Sequence, residues 1–170
     1  MTTPHPQPPA EPAVWAHHPD LGLIDLERRR WYEMTDLCRR LDLAQRLEPG
    51  YYRDPDWSVK DLVAHLGSWL AVAHVELERI GAGTYEPWNP DIDTINAETR
   101  DALRSQPWDL VWTQAHAART WMLYDWLALP ETSHASDFWI RKAGAEHYED
   151  HLARLVEWVA ELEAGRAPHG

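Results

Sequence analysis

Two histidines on one predicted helix face constrain the fold of this chain more than any other feature. From about Asp137 to Ala164 apolar residues recur at steps of three and four, which predicts an amphipathic helix. His147 and His151 are four residues apart and share a stripe with Leu155, so both side chains are predicted to point towards the core. Imidazole nitrogens inside a helix bundle need hydrogen-bond or metal partners, and a single bound metal ion would serve His147 and His151 together.

The same spacing has an ordinary explanation. The chain has 10 histidines in 170 residues, so chance alone gives about half a pair at this spacing. Histidines on an apolar face are commonly core residues that hydrogen-bond to their neighbours. A metal site and a pair of satisfied core histidines are therefore both open. The position of the pair on the buried stripe, together with a third histidine elsewhere, favours the metal site.

Four long helices are predicted, over about 21–47, 58–80, 108–129 and 137–164, with a short helix over about 92–103. Ser58 and Asp61 have the spacing of a capping box, Pro107 suits the first turn of the third helix, and Ser136 is a candidate cap for the last. No period-two alternation appears, so no strand is predicted. The predicted fold is all-α, a four-helix bundle with a long crossover between helices 2 and 3.

The length of the chain fits one domain with a sizeable core, predicted over 21–164. Residues 1–20 are rich in proline and predict a disordered tail, and 165–170 predict a frayed end. The tail contains three histidines, but a flexible segment cannot hold ligand geometry. These residues, His5, His17 and His18, are therefore not predicted as ligands.

The charge of the chain limits its partners. A net charge of -12 predicts no binding to nucleic acid or to an anionic membrane. A small-molecule substrate is the predicted partner. The single cysteine, Cys38, excludes an internal disulfide and a cysteine-based metal cage, and its helical setting predicts a buried structural thiol. Because no apolar run of membrane length and no signal peptide are present, the predicted compartment is the cytoplasm.

A third inward histidine lies on the predicted second helix. His65 falls among inward-facing apolar residues, whereas His74, nine residues later, is predicted on the opposite face. His116 lies off the best stripe of the third helix and is a weaker candidate. With His147 and His151, His65 gives three imidazoles, and three protein ligands with one open position are typical of a catalytic metal site. Such ligands suit Zn, Ni, Fe(II) or Cu.

Three segments resemble one protein superfamily. Trp57-Ser-Val-Lys-Asp-Leu-Val-Ala-His65-Leu-Gly-Ser-Trp69 resembles the second-helix motif of the DinB/YfiT-like superfamily, which shares its fold with the N-terminal domain of mycothiol-dependent maleylpyruvate isomerase. The segment His147-Tyr-Glu-Asp-His151 is similar to the ligand pair of the family's last helix. The segment from Asn89 to Asn96 resembles the single-domain ClbS/DfsB-like branch. The resemblance covers nearly the whole chain after residue 20.

The resemblance implies a four-helix bundle, often a homodimer, in which His65, His147 and His151 hold a divalent metal, with Zn favoured and Ni or Fe as alternatives. It also implies a low-molecular-weight thiol as a cofactor in some members, and ring opening of a DNA-alkylating compound in the ClbS-like branch. This chain differs from the isomerase in two respects. The isomerase has a C-terminal domain that this chain lacks, and it has a carboxylate where this chain has His147. The neighbouring Glu146 is about 100° round the helix and does not replace that carboxylate.

Supporting roles are predicted for four further residues. Asp61, one turn before His65, either orients that imidazole or only caps the helix. Trp69, Trp139 and Tyr148 either line a substrate cavity or belong to the core. Three functions follow as alternatives: a metal-dependent transferase, isomerase or hydrolase acting on a small electrophile, in detoxification or self-resistance; a protein that sequesters a small molecule; and a structural bundle.

Overall fold

The all-α class predicted from the sequence is confirmed. The computed structural model describes residues 21–53, 56–87 and 91–165. Its α-helices are α1 (Leu21–Arg40), α2 (Leu43–Leu47), α3 (Val59–Gly81), α4 (Ile92–Leu103), α5 (Trp108–Ala128), α6 (His134–Ile140) and α7 (Glu146–Ala164). A π-helical turn, Arg141–Ala145, joins α6 to α7. Within these ranges no helix combines the length and the hydropathy that crossing a bilayer requires.

A small hairpin precedes α3. Strand β1 (Tyr52–Arg53) pairs antiparallel with β2 (Asp56–Trp57), and Tyr52 lies opposite Trp57. The backbone N–H of Tyr51, just before β1, adds to the pairing of the strands by donating to the carbonyl of Trp57 at 2.9 Å. The prediction of no strands is therefore wrong. Two residues per strand are too few to produce the alternation by which strands are recognised.

The predicted first helix is two helices. It was expected to run to Leu47, but α1 ends at Arg40. Asp42 begins a new helix through a capping box, in which its side chain accepts from the Gln45 N–H at 2.9 Å and its own N–H donates to Gln45 Oε1 at 3.0 Å. The competing local hydrogen bonds of Asp42 end the first helix, although the apolar pattern continues through it.

Of the other predicted helix starts, those of α3 and α4 are confirmed and that of α5 is shifted. The capping box of α3 is confirmed: Ser58 Oγ accepts from the Asp61 N–H at 3.3 Å, and Asp61 Oδ2 accepts from the Ser58 N–H at 2.8 Å. The short helix α4 is confirmed and is capped by Asp91. Pro107 precedes α5 as its N-cap residue and does not lie within the first turn. A proline there loses no hydrogen bond, since its nitrogen carries no proton.

The last predicted helix begins earlier and is not continuous. It starts at His134, because Ser133 is the cap and accepts from the N–H of Ser136, the predicted cap, at 3.2 Å. The π-helical turn then interrupts it, and Gly144 there has φ -108° and ψ -108°, outside the helical range. A turn of this kind changes the direction of the helix axis and the rotational position of everything that follows.

Among the described helices, α3 and α5 share the most extensive contact, and α1 packs against α7 and the π-helical turn. A Cβ added at Gly67 would lie 3.0 Å from Ala115 Cα, so the close approach of α3 to α5 requires glycine at that position. The largest fully buried side chains form one core: Trp31, Met34, Leu41, Tyr51, Leu62, Leu66, Leu70, Leu77, Met122, Trp126, Ile140 and Tyr148.

Cys38 lies within this core with no exposed surface. Burial raises the pKa of its thiol to about 12, so the group stays protonated at neutral pH. The prediction of a buried thiol is confirmed. Residues 1–20, which hold the three discounted histidines, lie outside the described ranges.

A buried ion pair between α1 and α5 also accepts a hydrogen bond from the start of α7. Glu27 of α1 has no exposed surface. Arg119 of α5 donates to its carboxylate from Nε at 2.7 Å and from Nη2 at 2.5 Å, and the hydroxyl of Tyr148 donates to Oε1 at 3.0 Å. A Cβ at Gly144 would lie 3.1 Å from Glu27 Cγ. The three hydrogen bonds that the described residues donate to this carboxylate come from α5 and α7. They therefore fix the positions of α1, α5 and α7 relative to one another.

Glu27→Gln is predicted to destabilise the protein by about 3 kcal/mol, because Arg119 keeps its charge in a site that has lost its counter-ion. Urea unfolding measures the change. Glu33→Gln is the matched control, since Glu33 forms an exposed ion pair with Arg30 on the same helix and such pairs contribute about 0.2–1 kcal/mol. Equal effects of the two substitutions would contradict the structural role of Glu27.

Candidate metal centre

Three histidine side chains converge where α3 meets α7. His65 comes from α3, and His147 and His151 come from consecutive turns of α7. The nearest pair of nitrogens, Nε2 of His65 and Nε2 of His147, is 2.8 Å apart, and the three rings have centroids 4.7 to 5.3 Å apart. One nitrogen from each residue lies within 4.8 Å of the other two. The structure thus brings together all three histidines that the sequence singled out.

These nitrogens lie close enough together to hold a divalent metal ion once the side chains adjust. Tetrahedral coordination at about 2.0–2.1 Å separates two ligand nitrogens by about 3.3 Å. The 2.8 Å contact between His65 and His147 is a hydrogen bond in which one imidazole donates, and it must open by about 0.5 Å to admit an ion. A shift of that size is within the reach of side-chain rotation. The group can therefore hold a metal ion, and an all-imidazole set leaves Zn, Ni, Fe(II) and Cu open.

Burial keeps these imidazoles neutral. It lowers the pKa of His65 to about 3, with a further contribution from His151. It lowers the pKa of His147 to about 2, helped by His65 and His151 and opposed by the carbonyl of Ala143. The pKa of His151 is also lowered, chiefly by burial. Neutral imidazoles have a free electron pair, which is the form that a metal ion binds.

The hairpin orients His151. The hydroxyl oxygen of Tyr52 lies 2.9 Å from Nδ1 of His151, and the hydroxyl of Tyr51 donates to the His151 carbonyl at 3.1 Å. If Nδ1 carries the proton and donates to Tyr52, Nε2 is left for a ligand. The ring of Trp57 packs on His65 at 5.1 Å between centroids. Sequence reasoning missed Tyr52; the only signal was two hydroxyl-bearing aromatics in a short loop before the helix of His65.

Asp61 does not orient His65. Its Oδ2 accepts from both the N–H and the Oγ of Ser58, at 2.8 and 2.7 Å. No hydrogen bond joins it to the imidazole in the described structure, so the capping role accounts for this residue. Nδ1 of His147 is likewise buried without a well-aligned hydrogen bond. Among the described residues, His151 has a well-aligned outer hydrogen bond, from Nδ1 to Tyr52, that orients its ring.

A cavity of about 650 Å³ opens beside the histidine cluster. His65 and His147 form part of its wall, and the other described lining residues are Trp69, Tyr85, Pro87, Ile92, Asn96, His134, Ala135, Phe138, Trp139, Lys142 and Ala143. Trp69 and Trp139, two of the predicted substrate-pocket residues, line this cavity. Tyr148 does not line the cavity, because its position faces the core and its hydroxyl bonds to Glu27.

Besides His134, which lines the cavity, two other histidines of the described ranges lie outside both the cluster and the cavity wall. His116 packs between Trp31 and Trp112, at 4.9 and 4.6 Å between centroids, and burial lowers its pKa. His74 is partly buried and pairs with Asp125, next to exposed Glu78. These three groups form a second set of potential ligands. A hydrogen bond between His74 and Asp125, beside an exposed carboxylate, accounts for their proximity.

Comparison with protein-family models, with curated proteins and with solved structures finds no match. Function must therefore be inferred from the histidine cluster and its cavity.

The metal-free protein is predicted to lose stability as the pH falls. The unfolded chain protonates its histidines near pH 6.5, whereas folded His65 and His147 stay neutral to about pH 3 and about pH 2. Stability is therefore complete above pH 6.5 and is lost below it, with a slope of about 1.4 kcal/mol per pH unit for each histidine. Urea unfolding after removal of metal, between pH 7 and pH 4, measures this slope.

His147→Gln is expected to remove its share of that slope, and His134→Gln, which changes an exposed histidine, is the matched control. Parallel stability curves for the wild type and His147→Gln would show that His147 does not titrate in this way.

Proposed function

We propose that this protein is a divalent-metal-dependent enzyme that acts on a small electrophile, with water or a thiol as the nucleophile. The observation that carries the proposal is the convergence of His65, His147 and His151, with His65 and His147 in the wall of an aromatic cavity. A structural metal site is closed on all sides by protein ligands, whereas three ligands beside a cavity leave a position for a substrate or water.

We further propose that the chain is a four-helix bundle of the DinB/YfiT type. In support, one ligand lies on α3 and two at spacing four lie on α7, in the order that the family resemblance implies. The long connection between α3 and α5, which contains α4, corresponds to the expected crossover. On this proposal the core helices are α1, α3, α5 and the α6–α7 segment.

Each part of the site has a distinct task in the proposed chemistry. His65, His147 and His151 provide electron pairs, and Tyr52 holds one of these rings in orientation. A divalent ion supplies Lewis acidity, which lowers the pKa of a bound water or thiol. The indole rings at the cavity wall exclude water from the reacting atoms and so strengthen the electrostatic interactions there. The described lining residues include no carboxylate, so an acid–base role for Asp or Glu is not part of the proposal.

That absence of a lining carboxylate favours a second candidate, a ClbS-like protein that sequesters a small molecule. Sequestration requires the cavity and its aromatic walls but no group that transfers protons. Catalysis and sequestration differ in stoichiometry, because an enzyme releases its product and binds again.

Protein expressed without a histidine tag is predicted to contain about one zinc ion per chain after incubation with zinc and gel filtration. His65→Ala/His147→Ala is expected to contain almost none, and a chelator should lower the thermal midpoint of the wild type but not that of this double variant. His74→Ala is the matched control, since it removes a histidine from the second ligand set. Circular dichroism checks that the double variant is folded. Equal zinc contents in the wild type and the double variant would contradict the site.

Turnover is predicted with strained or activated electrophiles. Styrene oxide and 1-chloro-2,4-dinitrobenzene, each offered with water alone and with 2-mercaptoethanol, test both nucleophiles at a hundredfold excess over zinc-loaded protein. At least one combination is expected to give many equivalents of product, and His65→Ala/His147→Ala is expected to give only the uncatalysed rate. Consumption that stops at one equivalent in every combination would favour sequestration over catalysis.

A further inference from the structure

The cavity beside the histidine cluster has aromatic walls. Trp69 of α3, Tyr85 of the following loop and both Phe138 and Trp139 of α6 line it. The rim is also apolar, since Ile92 is 45% exposed and Phe138 is 42% exposed. Large apolar side chains left exposed around a cavity are a feature of ligand sites and are unfavourable without a ligand. These walls offer stacking surfaces on more than one side.

The cavity provides little charge for a ligand. Lys142 is the only Lys, Arg, Asp or Glu side chain among the described lining residues, and its Nζ lies 2.6 Å from a carboxylate oxygen of Glu146. Its charge is therefore largely compensated from within the protein. A sugar-like or multiply charged ligand would leave its polar groups unpaired against the aromatic walls, which is costly.

One polar group of the wall has a defined orientation. Trp69 Nε1 donates to Asn96 Oδ1 at 2.9 Å. An indole nitrogen only donates, so the amide oxygen of Asn96 must face Trp69 and the amide nitrogen must be the other end of the group. In the described structure this nitrogen donates to no other protein atom. Asn96 therefore offers a hydrogen-bond donor from α4, on the wall of the cavity.

We infer that the cavity takes a flat, predominantly apolar molecule with one or two ring systems, which stacks between the aromatic side chains and accepts a hydrogen bond from the Asn96 amide. The cavity volume of about 650 Å³ is within the range for molecules of that size. The inference rests on the proposed function, in that this ligand is the substrate of the site. Asn96 and Phe138 are then residues that determine specificity, while the histidines would hold the metal ion.

A ketone without acidic or metal-chelating groups tests the ligand class. 2-Acetonaphthone provides a flat bicyclic body and one acceptor, and acetone provides the acceptor alone. Isothermal titration of each ketone is carried out with metal-free and with zinc-loaded protein. 2-Acetonaphthone is expected to bind one molecule per chain in both forms, and acetone is expected to show no binding at the same concentrations.

Three variants locate the bound ketone. Asn96→Asp keeps the acceptor for Trp69 but replaces the donor nitrogen with an oxygen, so affinity for 2-acetonaphthone is expected to fall about tenfold. Phe138→Ser removes an exposed wall and is expected to weaken binding about fivefold. Glu98→Gln, an exposed change on the same helix as Asn96, is the matched control and should bind as the wild type does.

The outcomes separate this inference from the proposed function. Binding of 2-acetonaphthone that the Asn96 and Phe138 variants weaken supports the ligand class, even if zinc analysis finds no metal and the proposed enzyme is wrong. Failure of the wild type to bind 2-acetonaphthone, or equal affinity in the wild type and Asn96→Asp, overturns the inference. Zinc content measured on the same samples shows whether the histidines bind metal, whatever the result for the ketone.

Discussion

The burial of one carboxylate determines how the helices around the site are arranged. Glu27 has no exposed surface, and an uncompensated charge in such a place would cost several kcal/mol. The structure avoids that cost because Arg119 and Tyr148 reach the carboxylate from α5 and α7. Tyr148 is the residue after His147. The contact that satisfies Glu27 therefore also fixes the backbone from which His147 reaches the cluster.

The interruption between α6 and α7 lies against the side chain of the same residue, Glu27. A side chain at position 144 would lie against Glu27, so the π-helical turn that contains Gly144 passes close to it without a Cβ. That turn sets the angle between Trp139, on the cavity wall, and His147, at the cluster. Turns of this type are frequent at functional sites because they direct side chains where a regular helix cannot. Here the turn places an aromatic wall and a potential ligand around the same cavity.

Local sequence rules were sufficient to find the three candidate ligands and most helices. His65, His147 and His151 were found because helical periodicity depends only on nearby residues, and the capping box at Ser58 identified the start of α3 in the same way. The end of α1 was missed for a local reason as well, since the cap formed by Asp42 competes with an apolar pattern that runs past it.

Features that depend on distant contacts could not be predicted. Tyr52 and His151 are 99 residues apart in the chain, and no periodicity connects a loop residue with a helix that forms far along the sequence. Tyr148 was a candidate for the cavity wall as well as for the core, and it faces the core because Glu27 and Arg119 are there. Aromatic residues on a helix have no local signal that separates a cavity wall from a core, so Trp139 and Tyr148 could be distinguished only in three dimensions.

The central claim is that His65, His147 and His151 form a metal centre that is open to the cavity. Anomalous diffraction at the zinc edge, from crystals of untagged protein soaked in zinc, tests it most directly. The predicted result is a strong peak bonded to one nitrogen of each histidine, with a remaining coordination position that faces the cavity. Absence of a peak there, or a peak only at His74, Glu78 and Asp125, would contradict the account.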